Sequence, residues 1–364
     1  DELCRCGFEP IYCSTIDTVE LAKIMRPHST GYKLSHLAIE EGFDHERPHQ
    51  ADSDAYVTAQ LFLLYQNEMR NLPLVTLKQL YRLSYSLKSE ISELLAVILK
   101  DRMKVSPLHH PYLVIHKGIG MRKVLKSEKI VCDQIPDYPK EHGEKINMLD
   151  KAFSSLEVRN SQLAMMDAVY DVFTDHQYAF IEAGTGLGKT LGYLLPSAYY
   201  SMKQHTPVII STYTIELQNQ LIQKELENLR KMLSFPIKTA ILKGRANYIS
   251  LAKFDRALRT RDDNYDTALT KMQILIWLLQ TETGDKDELN LTTGGELFWE
   301  RLQSAKSISN EHESSWQPYD FYERAIENAR NADLIITNHS FLMADYFSKG
   351  NSIIQSTTLV IDEA

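Results

Sequence analysis

Apolar and polar positions change their rhythm partway along the chain. In "DSDAYVTAQLFLLYQNEM" (52–69), "LVTLKQLYRLS" (74–84) and "KSEISELLAVILKDR" (88–102), apolar residues return every three or four positions, which predicts helices that each bury one face. Residues 1 to about 70 read as a strand and helices. Residues 71–149 read as a helical connector whose later part, with Pro107, Pro111, Pro136 and Pro139, is loop or linker. From about residue 150 the rhythm becomes strand, helix, strand, helix. The runs "YAFIEA" (178–183), "PVIIST" (207–212), "KTAILKG" (238–244), "ADLIITN" (332–338) and "TTLVIDEA" (357–364) predict buried parallel strands, and "TIELQNQLIQKELENLRKML" (214–233) predicts a crossover helix. This is the pattern of an α/β domain with a doubly wound parallel sheet, interrupted by a helical insertion from Arg245 to about Ala332. Insertions of that length in a sheet domain usually face a substrate.

Composition narrows the class. The 364 residues leave room for two compact domains, and 43% hydrophobic with 24% charged residues is ordinary for a globular protein. Apolar stretches such as "LLAVIL" (94–99) are too short to cross a bilayer, so no membrane partner is expected. A net charge of -8 argues against coating nucleic acid electrostatically, although it leaves room for local phosphate contacts. Cys4, Cys6, Cys13 and Cys132 form no disulfide framework, which suits a cytoplasmic location. The segment "CRCGFEPIYC" lacks the second ligand pair of a zinc site and reads as ordinary thiols. The chain opens on Asp1 without a secretory leader and reads as trimmed or internal.

The chemistry concentrates in "AGTGLGKT". Ala183 stands where a P-loop has its first glycine, and Gly184, Thr185, Gly186, Leu187 and Gly188 form a turn whose backbone N–H groups can point inward. The positive end of the helix that follows completes a phosphate cradle. Lys189 can neutralise the β and γ oxygens, and the Thr190 hydroxyl can complete a Mg²⁺ shell. At the other end of the domain the run 359–361 finishes in Asp362 and Glu363. An acid there can hold Mg²⁺ through water, and its neighbour can orient the attacking water, which favours hydrolysis over phosphate transfer.

Taken in order, "EAGTGLGKT", "IISTYTIELQNQL" (209–221), "LKGRANY" (242–248), "ADLIITNHSFLMAD" (332–345) and the terminal "VIDEA" resemble the first motor domain of the DinG branch of superfamily 2 DNA helicases over residues 150–364. The resemblance implies a RecA-like P-loop motor. It also implies that Arg159 and Gln162, in "RNSQLAMM", read adenine, and that Thr212 in "STYT" contacts a DNA phosphate. Most relatives carry cysteines that hold an iron–sulfur cluster. Here no cysteine follows Cys132 and Ser250 stands where one is expected, so no cluster is anticipated.

The cluster-free form of the family is similar to the type in which a 3′-to-5′ exonuclease precedes the motor. "HQADSDAYVTAQLF" and the residues before it resemble the end of a DEDDh-type, DnaQ-like exonuclease of ribonuclease-H-like fold. In that resemblance His49 deprotonates the attacking water and Asp54, opening a helix, holds one of two Mg²⁺ or Mn²⁺ ions. On spacing alone the pair would be a surface pair and a cap, and Asp52 is the better helix cap. Asp17 and Glu20 are expected to be structural. The family's other acidic motifs and its second motor domain would lie outside the chain, leaving it incomplete for both activities.

The expectation is therefore residues 1–70 as the end of an exonuclease domain, 71–149 as connector, and 150–364 as the first motor domain with its insertion at about 245–332. The function expected is a 3′-to-5′ exonuclease on DNA, single-stranded or with a free 3′ end, coupled to an ATP-binding helicase-like motor. Two alternatives stand beside it. One is an ATP-dependent helicase with a vestigial nuclease, and the other is an ATP-switched DNA-binding protein. "FDRALRTRDD" offers Arg256, Arg259 and Arg261 as DNA contacts, or simply as a solvated helix face.

Overall fold

The computed structural model describes residues 2–9, 14–45, 47–105, 108–124, 129, 132, 134–153, 160–184, 188–213, 224–260, 264–305, 314–348, 353 and 356–363. The chain divides into two compact units. The first comprises Asp1–Leu125 and Arg245–Phe321, the second Lys126–Gly244 and Tyr322–Ala364. Among the described residues no helix is long and apolar enough to cross a membrane.

The first unit is mainly helical. The Thr18–Met25 helix opens with Asp17, whose carboxylate accepts the Val19 N–H at 2.8 Å. Buried Glu20 accepts the backbone N–H groups of Lys88 and Ser89 at 3.2 and 3.1 Å, fixing the segment before the Ile91–Arg102 helix. Arg26 grips both Glu68 oxygens at 2.7 Å and Glu41 at 2.6 Å, and stands over the Tyr65 ring. That fork fastens the long Ala51–Arg70 helix to its neighbours.

The 245–321 insertion belongs to this unit. Its Tyr265–Trp277 helix, capped by Asn264, packs on the Leu74–Ser84 and Thr18–Met25 helices. Asn290 donates its backbone N–H to the Pro27 carbonyl at 2.7 Å and its amide to the Ser29 carbonyl at 2.8 Å. Trp277 is 2% exposed, and its indole N–H finds Glu288 at 2.8 Å. Ser250, at the position expected of a cluster cysteine, caps the Leu251–Arg259 helix by accepting the Lys253 N–H.

The strand expected within residues 1–70 is not among the described residues, which leave out 1, 10–13 and 46. The stretch read as loop or linker needs correction, because it holds β1 (Leu113–His116) and β2 (Ile119–Arg122). They pair antiparallel across Lys117 and Gly118, both at positive φ (47° and 81°), as a two-residue hairpin turn requires. Asp52 caps nothing: the helix cap is Gln50, and Asp52 sits in the first turn, paired with Arg47 at 2.9 Å.

The second unit is an α/β layer structure. β3 (Val208–Thr212), β4 (Thr239–Ile241), β5 (Leu334–Asn338) and β6 (Thr358–Ile361) form a parallel sheet in the order β4-β5-β3-β6. β3 is buried along its whole length and β5 nearly so, which is why both read as continuous apolar runs. β6, paired on one side, alternates half-buried and exposed residues. The Lys189–Gln204 helix is buried from Leu191 to Met202 and packs against Asn160–Thr174. Lys145, fully buried, is held by Asp167 at 2.5 Å beside the stacked rings of Tyr138 and Tyr170.

The strand expected at 178–183 does not form. These residues have no strand partner among the described residues, and Tyr178 and Phe180 are fully exposed. An extended run without a neighbour leaves its N–H and C=O groups unpaired in the ladder direction, so apolar composition alone does not make it a strand. The crossover helix is described only as Leu226–Met232; residues 214–223 of it lie outside the described residues.

Trp277→Ala tests whether the insertion and the N-terminal helices fold as one body. It is expected to cost about 3–5 kcal/mol in a denaturant titration. Hydrogen exchange should accelerate together in the 18–25, 74–84 and 265–277 helices while β3 keeps its protection. Acceleration confined to 265–277 would contradict a shared core.

Candidate functional site

The candidate phosphate site lies where the Lys189–Gln204 helix begins. Gly188 is its N-cap, in the left-handed region at φ 72° and ψ 36°. A Cβ there would lie 2.1 Å from the Gln162 amide nitrogen, so glycine is required twice over, by conformation and by space. Gln162, 4% exposed on the 160–174 helix, donates that amide to the Gly188 carbonyl at 3.2 Å. Gly192 lets the same two helices close, since a Cβ would meet the Met165 sulfur at 2.8 Å. Beside the turn is a cleft of about 260 Å³, walled by Met165, Ala168, Ile181 and Ala183 with Gln162 and Glu182 at its polar edge. Lys189 and Thr190 are half-buried in the first helical turn, and Gly184 is exposed. Arg159, Thr185, Gly186 and Leu187 lie outside the described residues.

The acidic end of β6 reaches the helix that follows this turn. The Asp362 N–H donates to the Ser211 carbonyl at 2.9 Å, which extends the β3–β6 ladder by one bond. Its carboxylate accepts the Tyr193 hydroxyl at 2.9 Å. Burial, and then the Asp362 charge, push the Tyr193 phenol well above its ordinary range, while the Thr190 hydroxyl beside it acts the other way. One phenol therefore neighbours both residues expected to serve a metal ion, Thr190 and Asp362. The donor types of those two residues fit a nucleotide-bound Mg²⁺: a hard cation takes oxygen donors, and a hydroxyl and a carboxylate each neighbour the same phenol here. Glu363 follows, exposed, with φ 59°.

The sheet end carries two further groups. Thr212 is 1% exposed at the last position of β3, opposite Asn338. Ser211, also buried, shares a hydrogen bond of 2.7 Å with the His339 ring, and Asn338 caps the His339–Tyr346 helix through the Phe341 N–H. In the first unit, Arg259 is paired with Asp255 at 3.0 Å and Arg261 lies outside the described residues.

His49 and Asp54 also lie together, but through the backbone. His49, at φ 71°, donates its N–H to Asp54 Oδ1 at 3.2 Å, and the ring that meets the same oxygen belongs to His45, at 2.8 Å. Among the described residues no group of three or more His, Cys, Asp or Glu side chains could hold a metal ion. Asp54 alone does not make the two-metal site expected of the nuclease resemblance. Tyr193 and His45 were not singled out in the sequence. Tyr193 sits in the apolar run "LGYLL" and reads as core, and His45 lies nine positions before Asp54 across a turn that no helical or strand period reports.

No protein-family model matches the chain. A protein of Bacillus subtilis (strain 168) named 3'-5' exonuclease DinG is 41% identical over 375 aligned residues, covering 100% of this chain and 39% of the relative. The chain is a homologue of the DinG-named exonucleases. In Staphylococcus aureus (strain USA300) the protein of the same name is 33% identical over 356 residues, 96% of this chain and 37% of its own length. The chain thus spans about two fifths of the DinG relatives it matches.

Gly188→Ala follows directly from the turn geometry. Left-handed strain of roughly 1–2 kcal/mol adds to the displacement of Gln162. Affinity for a fluorescent ATP analogue should fall about tenfold or more, with the fold kept by circular dichroism. Unchanged affinity would mean that the 188 turn is not the phosphate cradle.

Proposed function

We propose that the chain serves a 3′-to-5′ exonuclease acting on DNA, coupled to a helicase-like motor that binds and hydrolyses ATP. The observation that carries this reading is the bond from Asp362 to Tyr193, on the helix that Gly188–Thr190 opens, which joins two segments far apart in sequence that the P-loop pattern requires to converge. The similarity of the whole chain to proteins named 3'-5' exonuclease DinG supports the nuclease half. In this reading residues 1–70 are the later part of a ribonuclease-H-like nuclease domain. Residues 71–149 are the connector, and 150–364 are a RecA-like motor domain with its insertion at about 245–332.

Each residue then has a task. The backbone N–H groups of the turn from Ala183 to Gly188 and the start of the 189–204 helix cradle the β-phosphate, and Lys189 neutralises its oxygens. Arg159 and Gln162 read adenine, Gln162 from the cleft it lines. Thr190 and Asp362 hold the water shell of Mg²⁺, which when bound screens the charge of the phosphates. Glu363 orients the attacking water. Thr212, at the last position of β3, contacts a phosphate of the DNA strand. At the nuclease end, His49 takes a proton from the attacking water and Asp54 contributes one carboxylate. Ser250 in place of a cysteine, and the absence of any cysteine among residues 133–364, favour a motor that works without an iron–sulfur cluster.

The test is an assay of the native protein on single-stranded DNA labelled at its 5′ end, with Mg²⁺ or Mn²⁺, with and without ATP. A ladder of shortened products is expected, abolished in His49→Ala. ATP should change the digestion in the parent protein and leave Lys189→Ala unaffected, with hydrolysis in that variant lower by about 10²–10³-fold. An undegraded strand would overturn the nuclease reading and leave an ATP-dependent helicase or an ATP-switched DNA binder.

A further inference from the structure

We propose that Tyr193 is a positioning residue for the nucleotide-bound cation: from the helix that Thr190 opens, its phenol holds the Asp362 carboxylate, so that this oxygen donor is set before nucleotide and cation arrive. The proposal rests on the motor reading above and assigns it a residue outside the P-loop and acidic motifs.

The geometry supports it from both sides. Tyr193 lies three residues after Thr190 on one helix, so the two side chains share a face, and that face is turned toward the end of β6. The hydroxyl donates to Asp362 Oδ2 at 2.9 Å. With the residue 3% exposed, this hydroxyl has little recourse to water, and a buried phenol without an acceptor is costly. The carboxylate is tied a second time through its own backbone, by the Asp362 N–H on the Ser211 carbonyl. Main chain and side chain of Asp362 are thus fixed by separate partners, one on β3 and one on the 189–204 helix. Ser197, one turn further on, donates its hydroxyl to the Tyr193 carbonyl at 2.6 Å.

Outer partners that orient metal-binding groups are worth roughly 10–100-fold in metal affinity when removed. Tyr193→Phe removes only the hydroxyl and keeps the ring in the core. The measurement is the affinity of a fluorescent ATP analogue for the native protein in EDTA and across a Mg²⁺ titration, beside thermal melting. The parent is expected to bind more tightly with Mg²⁺. Tyr193→Phe should keep the metal-free affinity and lose about tenfold or more of the Mg²⁺-dependent gain, as Asp362→Asn should also do. An unchanged Mg²⁺ gain in Tyr193→Phe would overturn the proposal while leaving the motor reading intact. So would a parallel fall of both affinities with the melting temperature, because that is the signature of a merely structural tyrosine. A parent protein that binds no analogue under either condition would instead overturn the motor reading itself.

Discussion

The parallel pairing of β3 with β5 on one side and β6 on the other is the constraint on which the candidate motor site depends. Register brings Thr212 level with Asn338, and Ser211 level with Ile361, so the residues that follow each strand emerge at one edge of the sheet. Ligands of open α/β sheets bind outside this carboxyl edge because loops there can approach one another while the strands stay fixed. A slip of one residue in β6 would move Asp362 off the Ser211 carbonyl and reverse the faces of its neighbours. The central strand resists such a slip because every residue of it is buried, and Asp333 locks the entry to β5. That carboxylate accepts the Lys238 N–H at 2.8 Å, and its backbone carbonyl receives both the Val208 N–H and the Ser201 hydroxyl.

The first unit solves a different problem. Its helices are short or only partly apolar, and an amphipathic helix gains stability mainly from what covers its face. Covering comes from far along the chain: the 265–277 helix, nearly two hundred residues after the 74–84 helix, supplies the apolar surface that the latter needs. Polar groups at the joint are paired as well as packed. Asn290 satisfies two carbonyls after the 18–25 helix, and Arg122 donates its N–H to the Leu278 carbonyl at 2.8 Å. The inserted segment is therefore part of the core that supports the helix bearing Asp54, and its place in the sequence conceals this.

What could be read from the sequence follows the range of the interaction responsible. The 52–69 and 74–84 helices are legible because their apolar spacing is local, and 74–84 matches residue for residue. β3 and β5 are legible because a strand buried on both faces leaves an unbroken apolar run. The run 178–183 carries the same signature and forms no strand, since pairing is decided by a neighbour and composition is silent on neighbours. The Lys117–Gly118 hairpin has one local signal, Gly118 following the apolar run Leu113–Ile115, and the prolines around it favour the loop reading. His49 and Asp54 are paired by the family resemblance and not by spacing alone, whereas His45 on the same carboxylate depends on the turn between them.

Tyr193 marks the limit of sequence reading most sharply. Among Leu191, Leu194 and Leu195 it has the surroundings of a core aromatic, and for most of its ring that is what it is. Its hydroxyl alone distinguishes it, and a hydroxyl in a core must find an acceptor or cost roughly 1–3 kcal/mol. Asp362 is the acceptor, 169 positions away. The demand runs in both directions: the core needs the carboxylate to satisfy the phenol, and the carboxylate takes its orientation from the core. The same bond that satisfies the phenol in the packing of the 189–204 helix thus orients an acidic group beside that helix, so folding and the placing of this carboxylate are one event.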